Sequence, residues 1–162
     1  MVLEDLEILS LNDTPAEKPA RILPRLEQFV GQTNDIIRFG DLDPQGHVNN
    51  TVFATFFETG RVMLLREPGN ELGAPGATTV LARLDISFLR ELHWPGTVEI
   101  GTGTTHIGRS SYSFLQAIFH EGQCAATANA TMVMIDATTR KARPLPDDVV
   151  ARLERLRIAS GE

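Results

Sequence analysis

The spacing of apolar residues along the chain changes its period twice. Residues 1–30 show no sustained period, and prolines at 15, 19 and 24 interrupt any long element, so this stretch reads as an N-terminal arm. Residues 32–39, "QTNDIIRF", alternate loosely and predict a first strand. From Thr51 the pattern becomes helical. Val52, Phe56 and Met63 mark one face, and Phe53, Phe57 and Leu64 mark the next. The apolar stripe is wide, which predicts a helix buried on most sides. Pro68 and Gly69 stop it, and Asn49 or Asn50 supplies the N-cap.

After the helix the period becomes two. In residues 78–89, Val80, Ala82, Leu84, Ile86 and Phe88 face one way, while Arg83, Asp85 and Ser87 face the other. Strands at 97–107, 111–120 and 123–135 follow. Short joins at Gly108-Arg109 and Glu121-Gly122 make these antiparallel neighbours. The last strand carries Ala125, Ala126, Ala128 and Ala130, small enough to let a helix lie close against the sheet. Residues 147–158, "DDVVARLERLRI", read as a short C-terminal helix, acidic at its start and basic near its end. The order is one strand, a long apolar helix, then four strands. A single helix of that girth needs a curled antiparallel sheet wrapped around it, an α+β architecture of two layers. The expected division is an arm over 1–30, one domain over 31–146, and a helix packed on it over 147–162.

Composition adds exclusions. Hydrophobic residues make up 42% and charged residues 22% of 162, a globular mix that supports one folded domain. The net charge of −6 argues against nucleic acid as a partner. No apolar run is long enough to span a membrane. The start lacks the basic and apolar regions of a secretory signal, and Cys124 is the single cysteine, so a cytoplasmic location is expected. One cysteine excludes a cysteine-based zinc cluster, and His106 and His120 lie too far apart in sequence to imply a metal site. Neither a metal nor a cofactor is expected.

The densest polar cluster, "RFGDLDPQGHVNN" at 38–50, sits immediately before the apolar helix. Asp43 brings a carboxylate to a helix start, where unpaired N–H groups attract negative charge. Gly46 permits a tight loop. A base or nucleophile beside donors for a developing oxyanion is what acyl transfer to water requires. Asp43 also reads as an Asx-turn former before Gly46. Asp41 closes the turn or pairs with Arg38.

"RFGDLDPQGHVNNTVFATFFETGR" followed by four strands resembles the hotdog-fold acyl-CoA thioesterases of the 4-hydroxybenzoyl-CoA thioesterase type, over residues 32–136. "FGDLDP" with Gly46 is similar to the 4-hydroxybenzoyl-CoA branch, and "GHVNN" to the broader acyl-CoA branch. The resemblance implies a hotdog fold with five antiparallel strands around one central helix. It implies an acyl-CoA substrate and a homodimer or homotetramer whose site lies between subunits. Asp43 then matches the catalytic carboxylate, and a backbone N–H near Asn50 matches the carbonyl donor. His47, Asn49 and Asn50 are candidate substrate contacts. Glu58 is a second carboxylate to weigh, because a related branch uses a helix carboxylate. Its competing readings are an ion pair with Arg61 at i+3 and an interface contact. Arg90, Arg109, Arg140, Lys141 and Arg143 are candidates for the phosphates of coenzyme A. His93 and Trp94 read as packing residues, and Phe56 and Phe57 as the pocket floor. Two alternatives use the same fold: an acyl-thioester hydratase or dehydratase, and a non-catalytic acyl-CoA-binding domain. The hydratase motif spaces its Asp and His five apart with an Asn-Pro pair between them; here Asp43 and His47 are four apart and that pair is missing.

Overall fold

The computed structural model describes residues 23–159. Most of the expected arm therefore lies outside the described residues. Five strands follow: β1 (Gly31–Ile37), β2 (Ala77–Phe88), β3 (Gly96–Ile107), β4 (Ser111–His120) and β5 (Gln123–Asp136). They form one sheet in the order β1-β3-β4-β5-β2, with every pair antiparallel. The long helix α1 (Asn50–Arg66) lies between β1 and β2 in sequence, and the short helix α2 (Asp147–Arg155) closes the described chain. This is the hotdog arrangement, with the sheet left open at β1 and β2.

Helix α1 begins where Asn49 caps it, its side chain accepting from the Thr51 N–H at 3.0 Å. Its buried residues are Phe53, Phe56, Phe57, Gly60, Arg61 and Leu64, the 3–4 spacing of one helix face. The stripe is narrower than expected. Met63 is 48% exposed and Val62 44%, because an open sheet covers the helix from one side only. The close approach to the sheet occurs at Gly60. A Cβ there would stand 2.6 Å from Ile100 Cγ2, so a side chain has no room. The alanines of β5 contribute differently. Ala125, Ala126 and Ala128 join the cluster of Phe53, Phe56 and Phe57, where small residues accommodate large rings.

One buried polar node ties α1 to the sheet. Arg61, only 6% exposed, donates from Nη1 to Gln116 Oε1 at 2.7 Å. Gln116 Nε2 donates in turn to the Phe57 carbonyl and to Thr102 Oγ1, both at 2.9 Å. Burial lowers the Arg61 pKa, and the negative charge of Glu58 partly opposes that shift.

The turn between β4 and β5 places Glu121 and Gly122 at φ 50° and 75°. Two left-handed residues are what a tight two-residue hairpin demands. On β2 a register shift between Leu81 and Arg83 breaks the period of two. Leu84 and Ile86 remain half-buried beyond it, but Ala82 and Phe88 are exposed where inward positions were expected. Helix α2 buries Val149 and Leu153 against Leu64, Tyr112 and Phe114, at the end of the domain remote from the α1 start. Phe29 covers the other face of the sheet, packed against Gly101 and edge-on to Phe119.

Candidate functional site

The polar loop between β1 and α1 is closed by its own backbone. Asp43 N–H donates to the His47 carbonyl at 2.8 Å, and Gly46 N–H to the Asp43 carbonyl at 3.0 Å. Gly46 sits at φ 84°, the left-handed region where a side chain is strained. Asn49 N–H reaches the Asp41 carbonyl, and Val48 N–H reaches the Leu92 carbonyl, both at 2.8 Å. The second of these bonds fastens the loop to the segment after β2. Asp41 accepts from Arg38 N–H at 2.7 Å and lies 3.9 Å from the Arg38 guanidinium, so it closes the turn and faces Arg38.

Asp43 does form the turn. Its Oδ1 accepts from Gln45 N–H at 2.8 Å and from His47 N–H at 3.3 Å. Both bonds fall on one oxygen, so Oδ2 is the oxygen that the loop does not occupy. The half-buried carboxylate also lines a cavity of about 340 Å³. Small-molecule sites usually span roughly 300–1,000 Å³. Val48, Phe53, Phe88 and Leu89 form its apolar wall, with Phe53 and Phe88 edge-on at 5.2 Å. His47, Asn50, Arg90 and Glu91 supply its polar lining.

At the start of α1, Asn49 engages two first-turn donors. Its side chain takes Thr51 N–H, and its carbonyl takes Val52 N–H at 2.9 Å. The Asn50 N–H has no partner in the chain among the described residues. A helix N-terminus carries partial positive charge, so this end of the cavity favours an anion.

Of the residues singled out in the sequence, the cavity gathers Asp43, His47, Asn50 and Arg90. Asn49 stands behind them as the cap. Glu58 is exposed and does not line the cavity of its own chain. Nor does it form the expected ion pair with Arg61, because Arg61 turns inward to Gln116 while Glu58 faces outward. Phe56 and Phe57 are fully buried in the core and do not make the pocket floor; Phe53, one turn nearer the cap, lines the cavity instead.

Arg109, Arg140, Lys141 and Arg143 lie elsewhere. Arg109 is in the turn between β3 and β4, and the other three follow β5. Those strand ends are opposite the cavity. The ten residues of β4 separate the two ends, about 30 Å at roughly 3.4 Å per residue. Arg143 instead donates to the Pro75 carbonyl at 2.8 Å.

The segment after β2 adds residues that periodicity did not mark. Glu91 Oε2 lies 3.4 Å from His47 Nε2 and 3.5 Å from His93 Nε2. The two imidazoles stand edge-on with centroids 5.1 Å apart. Trp94 is edge-on to Phe39 at 5.5 Å, the packing role expected of it. His93 does more than pack, since it faces both His47 and Glu91. No spacing rule links positions 47 and 93; only the pairing of the two loops brings them together.

Residues 37–153 match the thioesterase-like superfamily. The chain belongs to that superfamily. The match contains the polar loop, α1, all of β2 to β5 and most of α2. No curated protein matches the chain. Among solved structures, the PA5185 protein of Pseudomonas aeruginosa PAO1 superposes with a TM-score of 0.74 at 23% identity, over 85% of this chain and 99% of that one. It shares the fold. YbaW, a probable thioesterase of Escherichia coli, superposes with a TM-score of 0.70 at 28% identity, over 77% of this chain and 97% of its own. A thioesterase from Thermus thermophilus, complexed with coenzyme A and zinc, gives 0.69 at 28% identity, over 80% and 96%. Membership in the thioesterase-like superfamily supports thioester hydrolysis as the activity. No helix among the described residues is long and apolar enough to cross a membrane.

Proposed function

We propose that this thioesterase-like chain hydrolyses acyl-CoA thioesters to free acid and CoA in the cavity at the start of α1. One juxtaposition carries the reading. A carboxylate with one oxygen uncommitted, the helix-start residue Asn50 and an apolar wall bound the same 340 Å³ space. The acyl group lies against Phe53 and Phe88. The Asn50 N–H and the positive end of α1 stabilise the carbonyl oxygen as it becomes an oxyanion. Asp43 Oδ2 then either attacks the carbonyl, expelling the thiolate of CoA and leaving an anhydride that water cleaves to the free acid and the Asp43 carboxylate, or takes a proton from a water that attacks the carbonyl itself as the thiolate leaves. His47 contacts the substrate from the rim. Asn49 acts through the cap, as a positioning residue.

Coenzyme A as the carrier is supported by the related Thermus thermophilus thioesterase that binds it. Arg90 is the cation of this chain that borders the cavity, and its guanidinium forms no ion pair among the described residues. Its backbone N–H is fixed to the Ala125 carbonyl at 3.0 Å. Phosphates are held equally in the ground and transition states. Arg90→Ala should therefore raise KM for acyl-CoA more than it lowers kcat, while Arg109→Ala and Arg143→Ala act only if a partner subunit brings them to the site. An unchanged KM in Arg90→Ala removes Arg90 from the CoA site.

The open sheet edge supports a homo-oligomer. β2 is an edge strand with Leu81 44% and Phe88 51% exposed, and Val62 and Met63 stand uncovered on α1. Edge strands of this kind invite pairing with another chain. Light scattering should give a dimer or larger, and a fully active monomer at micromolar concentration would refute a shared site.

The reading is tested with short, medium, long and aryl acyl-CoAs by following thiol release together with the enoyl absorbance band. Thiol release from at least one class supports it. Enoyl loss with the thioester intact would assign a hydratase. Tight binding without turnover across the panel would assign a binding domain.

A further inference from the structure

We propose that His47, Glu91 and His93 form a three-ligand site for a divalent transition-metal ion, with zinc the best fit. The site does not depend on the thioesterase reading, because the donors and their spacing are its only premises. The three donor atoms lie within 4.8 Å of one another. Two of the separations are informative, at 3.4 Å and 3.5 Å from Glu91 Oε2 to the two Nε2 atoms. Those values exceed the 2.7–3.2 Å range of a good N–H···O hydrogen bond. They lie within ion-pair range and also match the edge of a tetrahedron. Zinc holds nitrogen and oxygen ligands at about 2.0–2.2 Å, which sets neighbouring donors about 3.3–3.5 Å apart. An octahedral ion such as magnesium, at about 2.1 Å, would set them about 3.0 Å apart.

The donor set points the same way. Two imidazoles and one carboxylate suit zinc and its borderline neighbours, whereas magnesium and calcium prefer oxygen alone. The residues are also available. Among the described residues, the Glu91 and His93 side chains have no partners outside this cluster. His93 is 58% exposed, so its ring is free to turn and close the third edge. The loops are already aligned by the bond from Val48 N–H to the Leu92 carbonyl, which fixes the neighbours of His47 and of Glu91 and His93. An ion would clip the polar loop to the segment after β2. Three protein donors leave a fourth position open at the cavity rim.

The test uses the full, untagged chain, stripped with chelator and dialysed. Zinc chloride is titrated calorimetrically, and cobalt(II) is titrated with its visible absorption as a reporter of tetrahedral geometry. One saturable equivalent per chain is expected, with tetrahedral cobalt bands and a zinc-dependent rise in Tm. His93→Ala and Glu91→Gln should each weaken binding by at least about tenfold, the loss seen even for outer-shell changes at metal sites. Both should also remove the Tm rise. His106→Ala, on β3 and outside the cluster, should bind as the wild type does. Both ligand positions are exposed, so melting of the metal-free variants should match the metal-free wild type. Absence of a saturable equivalent would overturn the proposal. So would undiminished binding in His93→Ala. Thioesterase activity enters none of these readouts, so failure here and failure of the hydrolytic reading are separable.

Discussion

Asp43→Asn is expected to lower kcat for the best acyl-CoA by about 10²–10⁴-fold, the usual contribution of a general base. The substitution isolates chemistry from structure. The amide oxygen of the replacement side chain can still accept from the Gln45 and His47 N–H groups, so the loop keeps its shape. What disappears is the negative charge on the other oxygen, which can no longer take a proton or attack a carbonyl. KM should change less than kcat, and the melting temperature should hold. Steady-state kinetics with a parallel thermal melt would read both. Asp41→Asn is the control for loop damage, since Asp41 serves the Arg38 turn. Glu58→Gln should leave turnover near wild type, because Glu58 does not line the cavity of its own chain. Abolished turnover in Glu58→Gln with intact turnover in Asp43→Asn would move the catalytic group to the helix.

The largest expected effect on stability comes from Gln116→Ala. Arg61 is buried and its Nη1 bonds to Gln116 Oε1. Removing Gln116 leaves a buried guanidinium without that acceptor and deprives Thr102 Oγ1 of its donor. An orphaned charged group costs about 3 kcal/mol or more. For a chain of this length that is about 6–12 °C in Tm. Pairing Gln116→Leu with Arg61→Met should recover much of the loss, since replacing both polar partners by apolar groups is far milder than removing one. A double variant as unstable as Gln116→Ala would show that packing volume, and not the unpaired charge, dominates.

Legibility in the sequence followed the range of the interaction concerned. Helix α1, its cap (narrowed to Asn49 or Asn50) and the β4–β5 turn depend on residues a few positions apart, and periodicity with turn chemistry was enough to locate them. The bulge in β2 was not visible, because a register shift depends on β5 across the sheet. The same limit applied to the site. Asp43, Gly46 and Asn50 are near neighbours in sequence, and their loop read as a unit. Arg90 reached the cavity as one of several candidate arginines, while Arg109, Arg140, Lys141 and Arg143 fell at the far strand ends. Only the sheet order separates those two groups. Met63 was expected inside because helical spacing does not say how far a sheet extends. The His47, Glu91 and His93 cluster was invisible for the same reason: its ends are 46 positions apart in sequence, and only loop pairing joins them.

The central claim is that the thioester is hydrolysed to free acid and free thiol. It is tested most directly by turning over the best acyl-CoA in ¹⁸O-labelled water and analysing all products by mass spectrometry. The account predicts equal amounts of free thiol and free acid, with the label in the acid's carboxyl group. An intact thioester carrying the label on its acyl chain, or an acyl-CoA recovered bound and unchanged, would contradict it.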